Sequence, residues 1–163
     1  PQFLATFADL AQEYKIPPKI LDFELTESIF FDNDKFSAVK RSLEEMHELG
    51  FLCSLDDFGV GFSSLGLLKE FDIDTIKFDR QFFIDVSTQK SKTILESLME
   101  MSEKLGIKTV AEGIETHEQL NYLNGTCCHM IQGYIFSMPL GISEFEQWLD
   151  SLENRRPPAT TQK

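Results

Sequence analysis

The 163-residue chain carries 27 acidic and 15 basic residues, a formal net charge of −12, with 42% hydrophobic and 26% charged residues. That balance suits one folded domain with a real core and excludes a disordered polymer. It also excludes DNA or RNA as a polymeric partner, because such binding rests on Lys and Arg neutralising phosphates.

No apolar run approaches the ~20 residues of a membrane span and no signal peptide is visible, so the expected location is the cytoplasm. The three cysteines, Cys53, Cys127 and Cys128, lack zinc-type spacing and read as reduced thiols, with Cys53 in the core. The chain opens at Pro1, which reads as part of something longer.

Apolar periodicity alternates between strand and helix along the chain. Residues 2–14 place Phe3, Phe7, Leu10 and Ala11 at helical spacing, and Pro17 and Pro18 stop that helix. Leu21–Thr26 follows as a strand. A second helix carries Phe36, Val39, Leu43, Met46 and Leu49 on one stripe and ends at Gly50. Phe51–Leu55 is the next strand, with a turn at Asp57–Gly61 and a short helix at Ser63–Lys69.

Thr75–Phe78 is the third strand, residues 91–105 the next helix, and Lys108–Ala111 the fourth strand. Thr116 with Gln119 and Ser143 with Glu146 make capping boxes. Between them Met130–Phe136 reads as a fifth strand. The last helix, Glu144–Leu152, is expected to point Phe145, Trp148 and Leu149 inward, and residues 153–163 form a disordered tail.

Strands separated by helices predict a parallel sheet with right-handed crossovers. An open doubly wound sheet and an eight-fold barrel compete. The first strand lacks a glycine-rich phosphate loop, and acids stand at the ends of several consecutive strands, which suits a ring that gathers strand ends. Five strands cannot close an eight-stranded ring. The predicted class is therefore α/β, an incomplete TIM-like barrel of five parallel strands alternating with helices.

Hard divalent cations prefer oxygen ligands, and here the carboxylates cluster where strands stop. Asp56 and Asp57 are adjacent, so one can bridge two ions while the other binds one. Glu24, Glu112 and Asp79 stand at sister strand ends. Glu27 lies three residues after Glu24, and Glu115 three after Glu112, as supporting acceptors.

Lys77 sits inside an apolar strand and needs a carboxylate partner, either as a structural ion pair or to orient or deprotonate water. Gln132 is a further polar residue, in the fifth strand. His47, His117 and His129 are isolated, and the first and second of them read as helix-surface residues, so a histidine zinc site is rejected.

The ordered segments LDFELTES, SLDDFGVGFSSLGLLKEFDIDTIKFDRQFF, TVAEGIETHEQL and IQGYIFSMPL closely resemble EAL-domain cyclic di-GMP phosphodiesterases. Residues 1–152 are identified as a partial domain of that family, the last five strands of a modified TIM barrel. The resemblance implies hydrolysis of cyclic di-GMP to linear pGpG with two Mg2+ or Mn2+ ions. It implies Glu24, Asp56, Asp57 and Glu112 as metal ligands and Lys77 at the catalytic water. Glu27 would steady the loop after Asp57, with Glu115 and Gln132 as supporting residues.

The family's Glu-Ala-Leu motif and Asn-Leu-Ser segment, which carry two further ligands, are absent from these residues. The isolated chain is therefore expected to be inactive or nearly so, with an N-terminal half of the domain missing. The rival expectation is a degenerate, non-catalytic module used in protein contacts, because an unclosed barrel exposes sheet edges and favours self-association.

Overall fold

A computed structural model describes residues 2–26, 29, 36–59, 65–84 and 88–153. Five strands, β1 (Asp22–Thr26), β2 (Leu52–Phe58), β3 (Thr75–Phe78), β4 (Lys108–Ala111) and β5 (Met130–Ile131), form one all-parallel sheet in the order β1-β2-β3-β4-β5. The helices are α1 (Gln2–Glu13), α2 (Phe36–Glu48), α3 (Leu67–Glu70), α4 (Gln81–Ile84), α5 (Gln89–Lys104), α6 (His117–Leu123) and α7 (Ile142–Glu153).

Strictly sequential order settles the choice between architectures. A doubly wound sheet reverses direction at a switch point, whereas a barrel winds one way throughout. This sheet has no reversal, and it is an arc of a TIM-like barrel.

Residues in register share a face. Leu25, Leu55, Ile76 and Thr109 lie side by side on one face, and Glu24, Ser54 and Thr75 on the other. The first set belongs with the helices. Leu55 and Ile76 are fully buried, and they join Leu43 and Met46 of α2 and Leu95 and Met99 of α5 in one core. At β1, Phe23 meets Phe7 of α1 and Phe51 edge-on, with ring centroids 5.2 and 5.1 Å apart. The second set lines what is the inner wall of the arc.

Several boundaries depart from expectation for identifiable reasons. β2 runs on through Asp56 and Asp57 to Phe58, because Thr26 pairs with Asp56 and Phe58 pairs with Phe78 across an irregularity in the β2–β3 ladder. β5 stops at Ile131 instead of Phe136: the backbone of Gly133 lies against Ile114, and Phe136 N–H donates to the Gly133 carbonyl in a turn.

The Thr116–Gln119 capping box forms as expected. The Ser143–Glu146 box does not; α7 starts at Ile142, and Glu144 Oε2 accepts from Gly141 N–H at 3.0 Å. Phe145 and Leu149 are 47% and 41% exposed, so the expected inward stripe of α7 is half open. Glu153 is the last residue of that helix, and the rest of the expected tail lies outside the described residues.

Cys53 is fully buried as expected. Burial first, then the charges of Asp22 and Asp74, push its thiol up to about 12. A thiolate is the reactive form, so at about pH 8 Cys53 should react with a thiol reagent only as fast as the chain unfolds. The half-buried Cys127 and Cys128 should react first. Mass-resolved labelling in water and in denaturant checks this; rapid native-state labelling of Cys53 would contradict the placement.

Candidate active site

The carboxyl end of the sheet gathers the acids. Glu24 and Asp56 come from the inner wall of β1 and β2, and Glu112 follows β4, anchored by its N–H donating to the Phe78 carbonyl at 3.0 Å. Between them rises Lys77 of β3. Its Nζ donates to Glu24 Oε1 at 2.6 Å and lies 2.8 Å from Glu112 Oε1 and 3.2 Å from Asp56 Oδ1. The buried lysine predicted to need one carboxylate has three.

This arrangement sets the charge state. Burial alone would push the Lys77 ammonium down. The hydrogen bonds to Glu112 and Glu24, the Glu112 charge and the nearby Asp56 carboxylate overcome it and hold the group above its ordinary value. Such a group donates hydrogen bonds; it does not take up a proton. Glu112 is raised, by burial before anything else, with the Asp56 and Glu24 charges adding to the rise against the pull of Lys77. The two directions agree, since three acids crowd around one cation.

Asp56 Oδ1 is buried and has no hydrogen-bond partner. It is near enough to Lys77 for ionic attraction, yet out of hydrogen-bond alignment. An orphaned anionic oxygen in a set of hard donors fits a divalent cation. Even so, among the described residues no group of three or more His, Cys, Asp and Glu side chains is set to hold an ion. The acids close on the ammonium instead.

Asp57 is exposed and adopts φ 55°, a left-handed conformation that Asp tolerates better than most residues. That backbone turn, at the irregularity in β2, separates the directions of two adjacent carboxylates. Behind it, Gly59 has φ 92° and a Cβ there would strike the Phe82 ring at 2.1 Å. The start of the loop is thus held against α4.

Of the other predicted residues, Glu27 lies outside the described residues, as do residues 60 and 61 of the expected turn at Asp57–Gly61. Glu115 and Gln132 have exposed side chains, but their backbones carry structure: Glu115 N–H donates to Gln119 Oε1, and the Gln132 carbonyl accepts from Ile114 N–H. Asp79 caps α4 through Gln81 N–H at 2.8 Å and has no part in the Lys77 cluster.

Two polar pairs were not anticipated. Asp22, one inner-wall position below Glu24, accepts from Ser54 Oγ at 2.5 Å. His47, expected on the surface, is part-buried and 2.9 Å from Asp74, which also accepts from Cys53 N–H. Asp22 and Glu24 at i and i+2 were a legible sign of an acidic inner wall. Nothing local links His47 to Asp74.

A one-way parallel arc with acids converging at its carboxyl end defines a barrel-type protein with a carboxylate-rich, cation-seeking site. The family is specific: the chain belongs to the EAL domain family, whose model matches residues 1–139. It is 39% identical over 131 residues to the cyclic di-GMP phosphodiesterase NbdA of Pseudomonas aeruginosa, covering 79% of this chain and 16% of that protein.

Among solved structures it is similar to the EAL domain of Mycobacterium smegmatis DcpA (TM-score 0.83, 30% identity, 95% of this chain and 68% of that one). It is also similar to Klebsiella pneumoniae BlrP1 in a manganese and cyclic di-GMP complex (TM-score 0.78, 31% identity, 85% of this chain and 35% of that one). The chain spans between 16% and 25% of the length of the first curated relatives it matches. No helix among the described residues is long and apolar enough to cross a membrane.

Proposed function

We propose that this chain supplies the metal-binding and catalytic wall of a cyclic di-GMP phosphodiesterase, yielding linear pGpG. The observation that carries the reading is the convergence of Glu24, Asp56 and Glu112 on Lys77 at the carboxyl end of the sheet. Glu24, Asp56, Asp57 and Glu112 would hold Mg2+ or Mn2+, with the buried Asp56 Oδ1, which has no hydrogen-bond partner, as an acceptor not yet used in a hydrogen bond. When bound, such ions supply Lewis acidity toward phosphoryl oxygens and offset the substrate's negative charge.

Lys77 supplies a fixed positive charge and N–H donors for an attacking water or for charge developing on a phosphoryl oxygen. While it is seated among the carboxylates, their contacts raise its proton affinity and keep it a donor. Asp57 takes its direction from the left-handed backbone turn. Glu27, Glu115 and Gln132 are assigned supporting roles around the loops that follow β1, β4 and β5.

Because the described acids number three around one ammonium, the 163-residue chain alone should turn over slowly, if at all. The test is incubation with cyclic di-GMP and Mn2+, followed by chromatography of the nucleotides and a binding titration. Nucleotide binding that needs Mn2+ and is lost in chelator supports the reading. Binding that ignores chelator, or none at any metal concentration, sinks it.

A further inference from the structure

The three acids that fit a divalent ion already hold a cation belonging to the chain. Lys77 Nζ stands 2.6, 2.8 and 3.2 Å from Glu24, Glu112 and Asp56, on a side chain only 9% exposed. We propose that the Lys77 ammonium is the resident cation of this cluster, and that a divalent ion gains Glu24, Asp56 and Glu112 only by displacing it. The proposal rests on the reading that these acids bind metal, and it adds how occupancy is controlled.

Three observations support the exchange. Glu24 Oε1 and Glu112 Oε1 are each within direct contact distance of the ammonium, so an ion drawn to the same oxygens meets a like charge. With the lysine seated, the described acids are not arranged to hold an ion. The grip is also uneven, since Asp56 Oδ1 is the most distant oxygen and has no aligned donor. Glu24, with a side chain 51% exposed, is the acid an incoming ion reaches first, and the buried Asp56 Oδ1 becomes open to the ion as the ammonium leaves.

The consequence is a site that is stable without metal and whose metal affinity is set by its own lysine. Unpaired, three neighbouring carboxylates would repel one another and weaken the carboxyl end of the sheet. Paired, they wait in a closed cluster. Metal binding then frees an ammonium beside the acids, where a phosphoryl oxygen can receive it.

The test uses the 163-residue chain and two measurements. Mn2+ dissociation constants of wild type, Lys77→Met, Lys77→Gln and Asp56→Asn are measured by calorimetry or by electron paramagnetic resonance. Lys77→Met and Lys77→Gln should bind Mn2+ at least about tenfold more tightly than wild type, and melt lower in chelator while gaining more from Mn2+. Equal or weaker binding in both would overturn the displacement.

The second measurement needs no substitution: the Lys77 Nζ resonance of wild type, slowed in exchange by its carboxylate partners, should lose that protection on titration with Mg2+. Retained protection at saturating Mg2+ overturns the proposal even if a variant fails to fold. If wild type and Asp56→Asn bind Mn2+ equally poorly, the metal reading itself fails, a result distinct from equal binding by wild type and the Lys77 variants.

Discussion

Gly133→Ala should lower the stability of the chain by about 3 kcal/mol or more. A methyl group at this position would meet the Ile114 carbonyl oxygen at 2.0 Å, its nitrogen at 2.4 Å and its carbonyl carbon at 2.7 Å. All three are backbone atoms of a fully buried residue, so no side chain can rotate away. The two segments must part.

Parting them strains two hydrogen bonds, Ile114 N–H to the Gln132 carbonyl and Ile135 N–H to the Ile114 carbonyl. Each contributes about 1 kcal/mol, and overpacking adds about 1–3 kcal/mol. The same shift reaches the site, because Glu112 lies two residues before Ile114. Urea unfolding checks the stability, with Gly125→Ala as control, since its Cβ would make only an ordinary contact with Tyr122. Equal midpoints for the two variants would disprove the close approach.

That contact also explains where sequence reading stops. Met130–Phe136 is an apolar run interrupted only by Gln132 and Gly133 and reads as a strand, yet the ladder ends after Ile131 because Gly133 must reach Ile114, a residue 19 positions earlier. The opposite error occurs at β2. Two aspartates look like a strand end, but pairing of Thr26 with Asp56 and of Phe58 with Phe78 carries the strand onward. β3 and β4 were legible residue for residue, since each is a short β-prone run between evident breaks.

The site divides in the same way. A lysine buried in an apolar strand announces a need for carboxylates, and strand-end acids announce a meeting point. What spacing does not reveal is that one lysine engages three of them, or that Asp57 turns left-handed and sends the neighbouring carboxylate elsewhere. The one-turn helix α4, capped by Asp79, leaves no mark in the sequence because a single turn has no periodicity. His47 and Asp74 stand 27 residues apart and meet only through the fold.

Asp56→Asn should separate function from folding. The substitution keeps shape and volume and removes one negative charge. Its Oδ1 has no hydrogen bond to lose, and Lys77 keeps Glu24 at 2.6 Å and Glu112 at 2.8 Å. Loss of the 3.2 Å ion pair is offset by relief of repulsion among crowded acids, so stability should stay within about 1 kcal/mol of wild type.

Metal binding has no such compensation. An amide oxygen carries no net charge and attracts a divalent cation far less than a carboxylate does, and replacing even a supporting residue of a metal site costs about 10–100-fold in affinity. Mn2+ affinity should therefore fall at least about 100-fold, together with any metal-dependent binding or turnover of cyclic di-GMP. Paired urea and Mn2+ titrations decide it. An unfolded variant would make Asp56 a structural pillar, and unchanged Mn2+ affinity would remove it from the metal-binding set. A well-folded chain that no longer holds metal would show that this inner-wall aspartate is held ready for a cation.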